Sequence, residues 1–359
     1  MNVADLSTFG WSEFFEANFE SYAEDGFTPG RVALEHKNLF RVYTQHGEVF
    51  AEISGKLRHE AMSRRDLPAV GDWVALRARP EGGRVMIHAV LPRRTCFARK
   101  LAGSRSEEQI VGANIDTAFL VTSLNQDFSP RRIERYLIIA RESGVNPIIV
   151  LSKSDLCDRV AESINEMRTV ARSVPIHAIS VVTGNGLQDI AQYLQRGQTV
   201  ALLGSSGVGK STLINHLTGI DHLKVQTVRD SDDRGRHTTT HRELVLLPEG
   251  GLLLDTPGMR ELQLWDGDDS LQLVFDDIEA LASSCFFGDC RHQDEPRCAV
   301  RDALAAGTID TARYESYEKL QKELKYVARR KDKLSEILER KKWKKLSRLA
   351  SERARLKRR

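Results

Sequence analysis

Cysteine, proline and long apolar runs are all scarce in this chain. Its 359 residues include 5 cysteines and 10 prolines, and no apolar run approaches the length of a membrane span. The sequence therefore predicts a protein outside the membrane. Three of the five cysteines lie between residues 285 and 298. This clustering favours a metal site in a reducing cytoplasm over a disulfide framework.

Basic side chains are missing from the first 29 residues, which carry six acidic ones. Without a basic cluster at its start the sequence shows no secretory signal, and we expect a cytoplasmic protein. Residues 31–100 hold fourteen Lys or Arg against seven Asp or Glu, and residues 340–359 hold eleven against one. These segments favour a polyanionic partner held at the periphery. A solvated charged face is the alternative, and it explains the acidic start better than the basic end.

Two segments precede the central domain in the predicted organisation. Residues 1–29 place four aromatic residues at helical spacing, which predicts an amphipathic helix docked on a neighbour; they are Trp11, Phe14, Phe15 and Phe19. Residues 30–100 contain short strand-like runs broken by turns, a pattern typical of a small OB-fold barrel. Such barrels bind nucleic acid on a basic face that also bears aromatic residues. The candidate contacts are Arg41, Tyr43, Lys56, Arg58, Arg64 and Arg65.

The remaining segments complete a multidomain fold class. Residues 101–274 alternate strand and helix, which predicts an α/β domain with a parallel sheet covered on both faces. Residues 275–339 combine a Cys/His cluster with an apolar helical stripe, made of Tyr314, Tyr317, Leu320, Leu324, Val327, Leu334 and Leu338. Residues 340–359 lose the stripe and form a basic tail. We therefore predict an N-terminal β-barrel (OB-fold), a central α/β P-loop domain and a C-terminal helical zinc-binding domain.

The phosphate-binding pattern G-x-x-x-x-G-K-[ST] is present in full. With the helical residue after it, the motif comprises Gly204, Ser205, Ser206, Gly207, Val208, Gly209, Lys210, Ser211 and Thr212. A glycine-rich turn between a strand and a helix lets backbone N–H groups surround a phosphate. Lys210 is expected to bridge the β- and γ-phosphates and to act in catalysis, and Ser211 to bind Mg²⁺. An ordinary glycine turn is the alternative, which the flanking strand and helix disfavour.

Ser152-Lys153-Ser154-Asp155 is predicted to read guanine. The Asp155 carboxylate can accept two hydrogen bonds from guanine, a pattern that adenine lacks, while the Lys153 stem lies over the base. Ser180 and Val181 follow the next strand and are expected to contact the guanine oxygen. A lysine and an aspartate at a strand end also occur as ordinary surface residues. Ser152 replaces the Asn of the usual Asn-Lys-x-Asp, and its shorter side chain is expected to tether the loop less firmly.

The guanine-reading element precedes the phosphate loop, although in an ordinary GTPase it comes last. A circular permutation explains this order, because the same pocket can be built from a different starting strand. Asp255 ends a strand and is followed by Thr256-Pro257-Gly258. Asp255 lies where the carboxylate on the magnesium side belongs, and the Gly258 N–H is placed to sense the γ-phosphate.

A switch segment is predicted between the two phosphate elements. One of three neighbouring threonines is expected to close over Mg²⁺, and the sequence leaves open which: Thr238, Thr239 or Thr240. Met259 stands where many GTPases carry a glutamine that orients water, and an apolar side chain cannot do so. His237 is the candidate replacement, with a structural or solvent-facing histidine as the alternative. Intrinsic hydrolysis is therefore expected to be slow and to need a partner.

Cys285, Cys290, His292 and Cys298 supply three thiolates and one imidazole within fourteen residues. This set completes a tetrahedral Zn²⁺ site with no open position for catalysis, so its predicted role is structural. Three unrelated cysteines are the alternative, which the scarcity of cysteine elsewhere disfavours.

These residues together resemble the RsgA (YjeQ/YloQ) family of circularly permuted GTPases that depend on the small ribosomal subunit. The resemblance runs from about Pro29 to the Cys/His cluster and includes Val70-Gly71-Asp72-Trp73-Val74 and Gly235 to Thr240. It implies an OB-fold, a permuted GTPase domain and a helical zinc-binding domain. It also implies GTP hydrolysis stimulated by the small subunit late in maturation, contacts to ribosomal RNA and a catalytic role for His237. Ser152, the Ser180-Val181 pair and the basic tail depart from the family pattern.

Three functions compete at this point. The favoured one is a GTPase whose hydrolysis of GTP to GDP times its release from the small ribosomal subunit. A non-enzymatic RNA-binding assembly factor is the alternative, disfavoured by intact Lys210, Ser211 and Asp255. An ATP-dependent kinase or helicase is disfavoured by Asp155. Nothing in the sequence indicates an obligate dimer, so we expect a monomer.

Overall fold

The structure is a computed structural model that describes residues 5–36, 39–78, 84–100, 108–125, 127–219, 242–255, 268–326 and 328–329. The chain divides into two compact units, residues 1–263 and residues 264–359. Within the described ranges, no helix combines the length and the apolar character needed for a membrane span. The domain boundaries given above stay predictions.

The predicted lead helix is present and packs on the barrel. After a short 3-10 helix at Leu6–Phe9, helix α1 spans Glu13–Glu24. Its first turn carries Glu13 and Glu16, which suit the positive end of a helix dipole. Phe15 and Phe19 are buried, while Phe14 is 40% exposed. Three of the four predicted aromatics thus face the barrel, since Trp11 contacts Trp73 with ring centroids 4.6 Å apart.

The predicted OB-fold is confirmed by the strand order of the barrel. Its elements are β1 Thr28–His36, β2 Leu39–Thr44, β3 Gly47–Ile53, α2 Gly55–Glu60, β4 Trp73–Arg77 and β5 Val85–Val90. The strands follow the order β1-β2-β3-β5-β4, and pairing of β1 with β4 closes the barrel. Alternate residues of each strand point inward and form the barrel core, which consists of Val32, Phe40, Val42, Ala51, Ile53, Val74, Leu76 and Ile87.

A two-stranded hairpin, which the sequence did not predict, links the barrel to the next domain. Strands β6 Cys96–Lys100 and β7 Glu108–Ala113 pair antiparallel. The end of β7 lies against the turn before β4, where Gly71 has φ +93°. A Cβ atom on Gly71 would come 2.1 Å from the Ala113 carbonyl oxygen, so only glycine fits. Next in the chain, the buried Asp72 carboxylate accepts two hydrogen bonds of 2.7 Å from Arg93.

The α/β domain is built on the predicted parallel strands, with one antiparallel addition. Its strands are β8 Thr117–Ser123, β9 Asn146–Ser152, β10 Ile176–Ala178, β11 Thr199–Gly204, β12 Glu243–Leu246 and β13 Leu252–Asp255. Its helices are α3 Pro130–Glu142, α4 Val160–Val170, α5 Leu187–Ala191 and α6 Lys210–Thr218. The order is β10-β9-β8-β11-β13-β12, in which only β12 is antiparallel. β12 also pairs with β1 of the barrel through Leu34 and Glu243, so one sheet runs through both domains.

Arg31 is a buried guanidinium where the lead, the barrel and the α/β domain meet. It is 1% exposed, and burial lowers its pKa to about 10 against the opposing influence of Asp116 and Asp72. It donates to the carbonyl oxygens of Phe9, Gly71 (3.3 Å) and Asn114 (2.8 Å). It also donates to the Thr199 hydroxyl at 2.9 Å. Thr199 begins β11, the strand that leads into the phosphate loop.

The second unit is helical among its described residues. It contains α7 Asp268–Val274, α8 Asp276–Ala282, α9 Ala299–Ala305 and a helix α10 over residues 311–326. Of the predicted stripe, Tyr317, Leu320 and Leu324 are buried. Tyr314 is half-buried, and Val327, Leu334 and Leu338 lie outside the described side chains. Residues 340–359 lie outside the described residues as well.

We expect Arg31→Met to destabilise the first unit by about 3 kcal/mol, because buried carbonyl groups lose their donor. The measurement is urea unfolding followed by tryptophan fluorescence, since the Trp73 ring centroid lies 5.8 Å from the guanidinium carbon. Arg159→Met is the control, because the Arg159 side chain is 76% exposed and should change stability by less than about 0.5 kcal/mol. Equal unfolding midpoints for both variants would show that the junction does not hold the segments together.

Candidate nucleotide site and metal centre

The predicted nucleotide elements share one edge of the sheet. Strands β9, β11 and β13 are parallel and end at Ser152, Gly204 and Asp255. Gly204 pairs with Val121 of β8, and Ser152 pairs with Ser123 of the same strand. The two loops therefore start on either side of β8, separated across the sheet by two strand spacings, about 10 Å. Ligands of open α/β sheets bind at this carboxyl edge.

The phosphate loop has the backbone that its glycines permit. Gly207 and Gly209 have φ +77° and +91°, values that residues with a side chain rarely adopt. Helix α6 begins directly after Gly209, so its first N–H groups face the loop. Lys210 Nζ donates to the carbonyl oxygens of Gly204 (2.7 Å) and Ser205. Ser211 and Thr212 follow in the first turn of α6.

Ser152 connects the predicted guanine-reading loop to the phosphate loop. Its hydroxyl donates to the Val208 carbonyl oxygen at 2.6 Å and lies 3.4 Å from the Thr122 carbonyl oxygen. Ser152 is 5% exposed, so this bond is shielded from water. The shorter side chain thus still reaches the phosphate loop. Val208 was predicted only as part of the phosphate loop, and its backbone carbonyl group is the acceptor of this hydrogen bond.

The predicted guanine-reading loop is also fixed on its other side. Lys153 adopts φ +57° and leads into a short 3-10 helix, Ser154–Leu156, which carries Asp155. The Ser154 N–H donates to the Ile179 carbonyl oxygen at 3.1 Å. Ser180 follows directly, and its hydroxyl accepts from the Thr183 N–H at 3.1 Å. Val181 packs against the core of the sheet. The predicted base-contacting residues thus belong to two loops joined by a backbone hydrogen bond.

His237, Thr238, Thr239, Thr240 and Gly258 lie outside the described residues. Asp255 is half-buried at the end of β13, and its register partner on β12 is Glu243.

Strand β12, which follows the predicted switch segment, is fixed by contacts that the sequence did not reveal. Arg242 donates to the Ile110 carbonyl oxygen at 3.1 Å, and Glu243 accepts from Arg41 of the barrel. The Tyr43 hydroxyl donates to the Leu244 carbonyl oxygen at 3.0 Å.

Of the candidate RNA contacts on the barrel, Tyr43 is therefore wrong, and Arg41 is engaged within the protein. Tyr43 is buried, and Arg41 forms ion pairs with Glu243 and Glu48. Both side chains contact β12, and Arg41 as an RNA contact stays a prediction. The other four candidates, Lys56, Arg58, Arg64 and Arg65, are exposed.

The Cys/His cluster has the geometry of a metal centre. The ligand atoms of Cys285, Cys290, His292 and Cys298 all lie within 4.8 Å of one another. The Cys285 sulfur lies 3.8 Å from the Cys298 sulfur and 3.6 Å from His292 Nδ1. A tetrahedral ion with metal–sulfur bonds of about 2.3 Å requires sulfur–sulfur separations of about 3.8 Å. Three thiols and an imidazole thus form a site that can hold a metal ion with soft-ligand preference.

A phosphate loop and a preceding Ser-Lys-Ser-Asp loop on one parallel sheet are typical of a circularly permuted P-loop GTPase. The family model named RsgA GTPase matches residues 90–265. A curated "Small ribosomal subunit biogenesis GTPase RsgA" from Opitutus terrae is 50% identical over 350 residues, covering 95% of each chain. The RsgA 2 protein of Lactiplantibacillus plantarum is 48% identical over 303 residues, covering 84% of this chain and 85% of that protein. The chain belongs to the RsgA GTPase family.

Solved structures agree with this assignment. YjeQ from Thermotoga maritima superposes with a TM-score of 0.61 at 28% identity, covering 83% of this chain and 98% of that chain. YloQ, described as a circularly permuted GTPase, gives a TM-score of 0.59 at 26% identity over 83% of this chain and 95% of that chain. The model of ABC transporters also matches residues 187–353. That range includes the phosphate loop, which both classes share, but not Lys153 or Asp155.

We expect Ser152→Ala to lower GDP affinity about five-fold, because losing one buried hydrogen bond costs about 1 kcal/mol. Ser152→Thr keeps a hydroxyl and should retain most of the affinity. Titration with a fluorescent GDP analogue measures the effect. Thr169→Ala is the control, since it removes an exposed hydroxyl that bonds only within α4. If Ser152→Ala bound GDP as tightly as the control, the tether would have no role in nucleotide binding.

Proposed function

We propose that this chain is a GTPase of small ribosomal subunit maturation, which binds the subunit with GTP and times its release by hydrolysis. The observation that carries the proposal is the hydrogen bond from Ser152 to Val208, because it joins a guanine reader to a phosphate loop. The partner is inferred from relatives at 50% and 48% identity, which are named for the biogenesis of that subunit.

Each residue at the sheet edge has one task in this proposal. The backbone N–H groups before α6 hold the phosphates, and Asp155 with Lys153 selects guanine. Lys210 exchanges its carbonyl contacts for the charged phosphate oxygens, which are stronger acceptors. Ser211 and Asp255 would hold Mg²⁺, and this ion neutralises charge on the β- and γ-phosphates.

The remaining catalytic assignments rest on the sequence alone. His237 is proposed to orient water, because Met259 cannot, and one of the three threonines before residue 241 completes the magnesium site. The Gly258 N–H is proposed to sense the γ-phosphate. A GTPase without the usual glutamine hydrolyses slowly by itself, so the subunit is proposed to stimulate the reaction.

The metal centre is proposed to hold one structural Zn²⁺. Three thiolates and one imidazole fill a tetrahedral ion, which leaves no position for substrate. Cys298 also caps α9, since its sulfur accepts the Arg301 N–H at 3.5 Å. The ion would therefore fix the start of a helix whose unit has a small core.

Ribosomal RNA is proposed to contact the exposed basic side chains between β3 and β4, which are Lys56, Arg58, Arg64 and Arg65. Contacts to phosphates release counterions, so this binding should weaken steeply with salt. A cytoplasmic monomer is part of the proposal, and the grouping of three cysteines with His292 as metal ligands favours a reducing compartment.

GTP hydrolysis should rise at least tenfold when purified small subunits are added, because the chain lacks the usual water-orienting glutamine. Lys210→Ala should lose nearly all turnover while it still binds RNA. Lys319→Ala is the matched control, since this lysine is exposed on α10. Phosphate release with and without subunits measures the stimulation of hydrolysis and the loss of turnover in Lys210→Ala. A rate that small subunits do not change would remove the ribosome from the proposal. Unchanged function of Lys210→Ala in cells would favour the non-enzymatic assembly factor.

Cys298→Ser should reduce bound zinc from about one ion per chain to almost none and unfold the second unit's metal region. Cys96→Ser is the control, because Cys96 lies in the hairpin outside the cluster. Elemental analysis of the purified proteins gives the metal content, and limited proteolysis reports the fold. Full zinc occupancy in Cys298→Ser would contradict the proposed ligand set.

A further inference from the structure

A second carboxylate lies beside the proposed magnesium carboxylate on the same face of the sheet. Glu243 and Asp255 are register partners on the antiparallel strands β12 and β13. Directly opposed residues of such strands have Cβ atoms about 5 Å apart on one face. Two carboxylates in this arrangement repel each other, which is unfavourable unless a cation compensates one of them.

The compensating cation is Arg41 of the barrel. Leu34 of β1 pairs with Arg41 on one side and with Glu243 on the other. Arg41 and Glu243 are therefore separated across the sheet by two strand spacings, about 10 Å, which the long arginine side chain bridges. Its guanidinium donates to the Glu243 carboxylate, and its Nε lies 3.7 Å from Glu48. Because Arg41 and Asp255 lie on opposite sides of β12, the Glu243 carboxylate is turned away from Asp255.

The environment of the ion pair keeps both groups charged and their attraction effective. Burial opposes the ionisation of Arg41, but the hydrogen bond to Glu243 outweighs burial and raises the pKa of the guanidinium. The side chains of Arg41 and Glu243 are 25% and 33% exposed, so water screens their attraction only in part. Removal of Arg41 would leave a partly buried carboxylate next to Asp255 without its cation.

Strand β12 has other attachments, so its position does not depend on the ion pair alone. The Tyr43 hydroxyl donates to the Leu244 carbonyl oxygen at 3.0 Å, and Arg242 donates to the Ile110 carbonyl oxygen at 3.1 Å. Partly exposed ion pairs also contribute little to stability. The main consequence of the ion pair is therefore the charge and direction of the Glu243 side chain.

We propose that Arg41 is a positioning residue for the magnesium site, because it holds the Glu243 carboxylate away from Asp255. Without Arg41, Glu243 adds an uncompensated negative charge beside the phosphates of the nucleotide. This charge weakens nucleotide binding most when no Mg²⁺ neutralises the phosphates. The inference rests on the proposed function, since it takes Asp255 as the carboxylate on the magnesium side.

The test measures the affinity of the full-length protein for a fluorescent, non-hydrolysable GTP analogue, in excess EDTA and at saturating Mg²⁺. Arg41→Met should lower the affinity about fivefold in EDTA and less than about twofold with Mg²⁺. Glu243→Gln alone should keep the wild-type affinity. Adding Glu243→Gln to Arg41→Met should restore it in EDTA, because the uncompensated carboxylate is gone. Arg84→Met is the matched control, since it breaks another ion pair of the barrel, with Glu52 on β3.

An ion pair that only holds β12 in place would give a different pattern. Glu243→Gln alone and the double variant would then lose as much affinity as Arg41→Met, and this result would overturn the proposal. So would equal affinities of Arg41→Met and Arg84→Met in EDTA. Asp255→Asn checks the proposed function separately, because it should remove the gain in affinity that Mg²⁺ gives the wild type. If Asp255→Asn kept that gain, the magnesium assignment would be wrong, and the role of Arg41 with it.

Discussion

The guanidinium of Arg31 is sealed from water, and the first unit is arranged around its hydrogen bonds. An ionised group in the interior is strongly unfavourable unless its donors are satisfied. Here the acceptors come from four places in the chain: the lead, the turn before β4, the connection after β7 and the start of β11. Displacement of any one of these segments would take an acceptor from the buried guanidinium. The strand that delivers the phosphate loop is therefore fixed by the barrel as well as by its own sheet.

The permuted order of the nucleotide elements is compatible with one site because the elements meet across the sheet edge. Ser152 and Val208 are 56 residues apart, yet a single hydrogen bond joins them. Ser154 in turn bonds to Ile179, which brings in the loop after β10. Such contacts depend on which strands are neighbours and not on the order in which the chain visits them. A new starting strand leaves them unchanged, provided that the sheet keeps its spatial order.

Patterns among residues close in the sequence predicted the features that local interactions determine. Strand alternation indicated the barrel core, the spacing of glycines indicated the phosphate loop, and the spacing of Cys and His indicated the metal centre. Contacts between segments that are far apart in the sequence could not be predicted from it. Tyr43 occupies a strand position that would face solvent on an isolated barrel, but β12 covers that face. Arg41 contacts Glu243, which lies 202 residues away in the sequence. β12 itself has four residues, too few for a periodic signal, and its partners come from β13 and β1.

The hydrogen bond of Ser152 to Val208 is another contact between distant segments that the sequence did not predict. Its side-chain length suggested a weak tether, because the sequence does not reveal how near the Val208 carbonyl approaches. The exposure of Phe14, in contrast, follows from the sequence alone. Phe14 lies beside Phe15 in the chain, and two neighbours on a helix cannot both face the barrel.

Strand β12 places the barrel and the proposed magnesium carboxylate in one lateral row. Leu34 of β1 pairs with Glu243, and Glu243 pairs with Asp255. At strand spacings of about 4.8 Å, the row from barrel to carboxylate measures about 10 Å. The backbone position of Asp255 therefore depends on the pairing of β12 with the barrel as well as on the parallel strands of its own sheet.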